Sequence, residues 1–233
     1  MASTDAISGL RFDLNQGSVR DLNQRLHQPG GGGPVLIANP GGRHAIAVGL
    51  DAPWKVEIDG HVGYYCAGMN QQASVRVRGN CGVGVAENMM SGVVNVDGSA
   101  SQAAGATARG GMLVINGDAS ARCGISLKGA DIVVRGSVGH MSAFMAQRGA
   151  LVVCGDAGEA LGDSLYEARL YVRGSVGSLG ADCVEKDVRA EHLEQLRGLL
   201  AAAGVDDADP LEFRRFGSAR QLYNFHVDNL GAY

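Results

Sequence analysis

The chain has 233 residues, 36 of them glycine, a net charge of −4 and only 5% aromatic residues. That length suits one large domain with a continuous core. The mixed, slightly acidic charge offers no basic ladder with interleaved aromatics, which argues against a nucleic-acid groove, and no run of about eighteen apolar residues provides a membrane span.

Residues 1–14 (MASTDAISGLRFDL) lack a basic region followed by an apolar stretch, so the sequence predicts a cytoplasmic protein. Residues 18–28 (SVRDLNQRLHQ) read as a short helix with Ser18 as N-cap, and PGGGGP at 29–34 is a flexible break. This N-terminal segment, 1–34, precedes a repeat predicted over 35–186, whose first stretch, 35–50, alternates weakly and suits an irregular opening coil.

From Gly60 onward a glycine returns every nineteen residues, at Gly60, Gly79, Gly98, Gly117, Gly136, Gly155 and Gly174. Four and two residues before each stand aliphatic pairs such as Val75/Val77, Ile132/Val134 and Leu170/Val172. Two aliphatics at i and i+2, mostly β-branched and followed by glycine, describe a short strand with one buried face and a sharp turn. The residue after each glycine is polar or histidine (His61, Asn80, Ser99, Asp118, Ser137, Asp156, Ser175), as turns favour. Seven residues after the glycine only Ala67, Ala86, Gly105, Gly124, Ala143, Gly162 and Ala181 occur, a place without room for bulk.

Nineteen residues are too few for a helix pair, and left-handed hexapeptide helices would repeat at about eighteen. The period predicts an all-β parallel β-helix of about seven coils, each strand pairing with those above and below at about 4.8 Å. Short helices are predicted at both ends.

One outward column changes character along the axis. Three residues before the glycine it reads Glu57, Arg76, Asn95 and then Val114, Val133, Val152, Tyr171. An apolar strip on the outside must be covered, by the chain's own C-terminal segment or by a partner subunit. Residues 187–233 supply the first possibility: 187–203 place Leu193, Leu196 and Leu200 on one helical stripe closed by Gly204, and the following tail carries Phe213, Phe216, Tyr223, Phe225 and Tyr233. Val114, Val133, Val152, Tyr171, Phe213, Phe216, Tyr223 and Phe225 are therefore the candidate docking residues.

Residues with chemistry are scattered. The six histidines occupy unrelated repeat positions, so no metal site is predicted. The five cysteines form no CxxC pair; Cys66 and Cys123 share a position three coils apart, about 14 Å, beyond disulfide reach, and buried reduced thiols are expected. Asp118 and Asp156 lie two coils apart, about 10 Å, without the third carboxylate or aromatic platform of a polysaccharide-cleaving β-helix. Gly79, Gly82 and Gly84 in GNCGVG open another β coil, not the long helix that a dinucleotide fingerprint needs, and GxSxG is absent. No catalytic, cofactor-binding or metal-binding residue is expected.

Units such as VRGNCGVGVAENMMSGVVNVDGSASQAAGATARGG resemble the GXGXG domain at the C-terminal end of the large subunit of glutamate synthase, over about residues 35–185. The resemblance implies a right-handed β-helix. Length, N-terminal helix and the ending LEFRRFGSARQLYNFHVDNLGAY are most similar to the small β-helix subunit of N-methylglutamate synthase (methylamine–glutamate N-methyltransferase) and its close relatives.

The resemblance further implies a non-catalytic structural subunit, part of an enzyme only through its complex. Its partners would be an amidotransferase-like chain and a synthase chain that carries FMN and iron–sulfur clusters. It would hold them together and help form a path for ammonia or methylamine. The β-helix subunit of formylmethanofuran dehydrogenase-like formyltransferase/hydrolase complexes and the third subunit of split glutamate synthases share this kind of domain and are the alternatives.

Overall fold

Aliphatic pairs at a fixed period build this molecule by stacking. The computed structural model describes residues 9–221. Eight strands lie in parallel, each hydrogen-bonded to the next: β2 (Gly33–Ala38), β3 (Trp54–Asp59), β4 (Ser74–Val77), β5 (Val93–Val96), β6 (Met112–Ile115), β7 (Lys128–Val134), β8 (Arg148–Val153) and β9 (Arg169–Val172). The register steps 21 residues from Val35 to Val56, then nineteen at each step through Val75, Val94, Leu113, Ile132, Leu151 and Leu170. The result is a parallel β-solenoid of about seven turns with one long core. Val75, Val77, Leu113 and Ile132 are fully buried in it.

A second wall is a column of single bridges, Val62–Cys81–Ala100–Ala119–Val138–Ala157–Val176, one residue per coil. Between this wall and the next strand the chain crosses an arch in which the fifth, seventh and ninth residues after the glycine adopt positive φ. Tyr65, Ala67 and Met69 have φ of 59°, 53° and 56°, and the pattern recurs down to Ala160, Gly162 and Ser164. A non-glycine residue there costs roughly 1–2 kcal/mol. The arch is held because its amides are paired with neighbouring coils: Tyr65 N–H donates to Val83 O at 2.8 Å, Met69 N–H to Glu87 O at 2.7 Å, and Ala67 N–H back to Ile46 O at 3.0 Å.

This explains the small residues seven after each glycine, which are both left-handed and buried. A Cβ on Gly105 would lie 2.5 Å from Ile132 Cδ1. The last unit departs from the rule: Ala181 is exposed and the left-handed residue is Asp182, where the solenoid ends.

The repeat glycines sit at the bend that ends each strand, as predicted, but most of them are not glycine for the sake of φ. Only Gly60 among the seven has a positive φ, 135°. The others are glycine because the coil below lies too close: a Cβ on Gly155 would stand 2.7 Å from Gly136 C and 2.6 Å from Ser137 Oγ.

Both ends of the sheet carry extra strands. At the N-terminus β1 (Leu10–Asp13) pairs in parallel with β2. There α1 (Val19–Leu26) starts at the expected cap, with Ser18 Oγ accepting the Asp21 N–H at 3.1 Å, and buries Leu22 and Leu26. Trp54 Nε1 donates to Leu26 O at 2.8 Å, fastening the helix to β3.

At the C-terminus the chain reverses. β11 (Arg214–Ser218) runs antiparallel beside β9, and β10 (Cys183–Lys186) antiparallel beside β11. Between them in sequence lies α2 (Ala190–Ala202), after which Gly204 turns at φ 66°. Among the described residues no helix is long and apolar enough to cross a membrane.

Candidate functional site

The outward apolar column forms as predicted, with Val114, Val133, Val152 and Tyr171 in consecutive register. It is covered, by the first of the two covers expected. The four are 2%, 0%, 0% and 0% exposed; Val133, Val152 and Tyr171 pack against Leu196, Leu199 and Leu200 of α2, with Val205 and Phe213 completing a second hydrophobic cluster. The chain's own C-terminal segment is the cover, so this column is not a partner surface.

The physical reason is the free energy of an apolar strip in water, which the nearest amphipathic segment removes. The helix presents His192, Leu196, Leu199 and Leu200 inward; Leu193 of the predicted stripe is only half-buried.

Phe213 belongs to that second cluster, while Phe216 closes the main core beyond the last coil, with the Arg214 guanidinium 5.4 Å from its ring centroid. Both are therefore packing residues of this chain. Tyr223 and Phe225 lie outside the described residues.

With the column covered, large exposed apolar side chains gather elsewhere. Tyr64, Tyr65 and Met69 on one arch and Met90 on the next coil are 45–50% exposed. Tyr64 stacks on His44 with ring centroids 4.4 Å apart, and His44 Nδ1 accepts the Tyr64 N–H at 2.9 Å.

The polar residues that follow the repeat glycines make a ladder of their own. Each accepts the backbone N–H of its counterpart one coil on: His61 from Asn80, Asn80 from Ser99, Ser99 from Asp118, Asp118 from Ser137, Ser137 from Asp156 and Asp156 from Ser175, at 2.7–3.1 Å. The Ser175 backbone and hydroxyl bonds hold the Asp156 carboxyl below its ordinary range. Asp118 and Asp156 are structural rungs. His27 bridges Asn23 O and Gly49 O, and among the described residues no three His, Cys, Asp or Glu side chains converge on a metal-sized site.

All five cysteines are free and buried. Burial pushes the Cys81, Cys123 and Cys183 thiols up to about 12 and Cys66 well above its ordinary value. Thiolate chemistry needs the opposite environment.

A polar cavity that sequence reasoning missed opens beside α2, lined by Asp131, Arg148, Glu167, Arg169 and Gln195 with Gly129 and Gly149. Its sequence signal is the column five before the repeat glycines, where the register stacks Asp131, Ala150 and Arg169.

Fold and surface together define a parallel β-solenoid that carries its own helical strap. No family model matches the chain. Protein GlxC of Rhizobium meliloti (strain 1021) is 61% identical to it over 225 residues, which cover 95% of this chain and 99% of the relative. The chain belongs to the GlxC family.

Proposed function

We propose that this chain is a non-catalytic structural subunit of an FMN and iron–sulfur N-methylglutamate synthase, a member of the glutamate synthase family with a GXGXG domain. That complex makes N-methyl-L-glutamate from L-glutamate and methylamine. The chain holds the amidotransferase-like and synthase subunits at fixed separation and helps form the path of the amine between them.

The observation that carries the reading is how the prism is built. Its rungs are bonded coil to coil by backbone and side-chain ladders, and among the described residues no buried side-chain nitrogen or oxygen lacks a partner. Such a body is stiff, and stiffness is what relay of a small molecule between two sites requires. The kinship to GlxC and the nineteen-residue glycine register support the same assignment.

Because the Val114-to-Tyr171 column is covered, the reading places docking on the arch of Tyr64, Tyr65, Met69 and Met90, where aromatic and Met side chains suit an interface core. Reconstitution from separately purified subunits tests the role. N-methylglutamate formation should depend on this chain, while the chain alone should bind no flavin. Stoichiometric FMN or iron in the isolated chain would refute a purely structural role.

A further inference from the structure

The cavity beside α2 has a volume of about 470 Å³, within the range of small-molecule sites. It is made by three coils and the helix. Asp131 on β7 and Arg169 on β9 occupy the same column, and the residue between them in register is Ala150. Their backbones are therefore two coils apart, roughly 10 Å, with one methyl group between. Gly129 and Gly149 keep the neighbouring column low.

The charged groups of this cavity are not paired with each other. Asp131 Oδ1 accepts the Ala150 N–H at 3.1 Å, and burial raises its carboxyl, the direction expected without a cationic partner. Arg169 Nη1 donates to Gln195 Oε1 at 2.8 Å, an oxygen that also takes the Tyr171 hydroxyl at 2.8 Å. That bond and a second one to the Tyr171 side chain orient the guanidinium and leave its remaining donors for a ligand. Among the described residues the Arg148 guanidinium has no hydrogen-bond or ion-pair partner. Glu167 is different, since it pairs with Arg220 at 2.9 Å.

One carboxylate and two guanidiniums thus remain uncompensated around one opening. A ligand that balances them carries one positive and two negative groups. A simple dianion would meet Asp131 unfavourably, and a neutral sugar would leave both arginines unsatisfied. Guanidinium forks match carboxylates in bidentate geometry, and Asp131 offers a free acceptor oxygen for an ammonium group.

We infer that this cavity binds a small acidic α-amino acid, its ammonium group on Asp131 and its two carboxylates on Arg148 and Arg169. Gln195 is a positioning residue that sets the Arg169 fork. The inference stands on the cavity alone and applies to the free chain, so its failure would leave the structural role above untouched.

Isothermal titration of the purified full-length chain tests it, with L-glutamate and L-aspartate as probes and glutarate, L-glutamine and inorganic phosphate as controls. Saturable binding of at least one acidic amino acid is expected, weaker by about tenfold or more for glutarate, which lacks the ammonium group, and for L-glutamine, which lacks one charge. Asp131→Asn keeps an oxygen for the Ala150 amide and Arg148→Gln alters an exposed side chain, so both should fold as the parent by circular dichroism. Each should weaken binding by about tenfold. No saturable heat at millimolar probe, equal binding of glutarate or phosphate, or folded variants that bind like the parent would overturn the inference.

Discussion

Asp118 Oδ1 accepts the backbone N–H of Ser137 one coil away at 2.8 Å, and a Cβ on the intervening Gly136 would fall on that same oxygen. Glycine and polar neighbour are therefore one device: the side chain reaches across the rung, and the next coil's glycine makes room. Six such side-chain bonds run down the prism.

Gly136→Ala should accordingly destabilise the chain by about 1–3 kcal/mol, since the new methyl meets both Asp118 Oδ1 and the backbone of Gly117. Urea denaturation followed by far-UV circular dichroism measures it. A midpoint equal to that of the parent would show that the columns are not tightly stacked.

The arch predicts opposite signs two residues apart. Ala103 has φ 58° and is half-buried, so Ala103→Gly should be neutral or stabilising by about 0.5–1 kcal/mol, the relief of left-handed strain less glycine's added entropy loss. Gly105→Ala should lose stability, because its φ is 66° and the Cβ would stand 2.5 Å from Ile132 Cδ1. Paired thermal melts read both.

Leu196 is fully buried where α2 crosses the outer column, so Leu196→Ala should cost the isolated chain about 2–5 kcal/mol. Its urea midpoint in the absence of any partner is the measurement. No loss would mean that the helix does not cover the column in solution.

Acid should weaken the same strap. His192 is 5% exposed and its Nδ1 accepts the Arg189 N–H at 3.0 Å, which requires an unprotonated nitrogen. Burial lowers its pKa, and Arg215 and Arg169 press in the same direction. Glu191, 3.4 Å from Nε2, opposes them without reversing the shift. The unfolded histidine binds its proton first, near the usual pKa of about 6.5, so stability is full above that pH and falls as pH drops toward the lowered folded value. His192→Gln keeps an acceptor for the Arg189 amide without titrating. Its stability should change less than the parent's between neutral and mildly acidic pH.

Removing Tyr64 and Met69 together, as Tyr64→Ser with Met69→Ser, should leave the chain folded but reduce its co-purification with partner chains. Both side chains are about half exposed and contribute little to the core. Quantitative mass spectrometry of tagged chain and variant gives the ratio.

The solenoid was legible because close approach between coils admits only glycine at one place and only small left-handed residues at another. Gly98 and Ala86 announce those constraints in one letter each. The arch was only half legible: its fifth and ninth places hold Tyr65, Met69, Arg122 and Thr107, residues with no left-handed preference, whose φ is set by hydrogen bonds from adjacent coils. The outer column could be read as apolar and in need of a cover, with the C-terminal helix as one of two candidates; the choice between helix and partner was not legible, and Leu199 joins Leu196 and Leu200 on the inward face in place of Leu193. The cavity was only half legible: the nineteen-residue register stacks Asp131, Ala150 and Arg169 in one column, but nothing in the sequence places Gln195 of α2 beside it.

Membership of a synthase assembly is tested most directly by mild affinity purification of the tagged chain from its native host, with mass spectrometry and a flavin absorbance scan of the eluate. The expected result is an amidotransferase-like chain together with a yellow-brown FMN and iron–sulfur chain, in an eluate that converts methylamine and L-glutamate to N-methyl-L-glutamate. Recovery of formyl-transfer subunits, or of a colourless solitary protein, would contradict it.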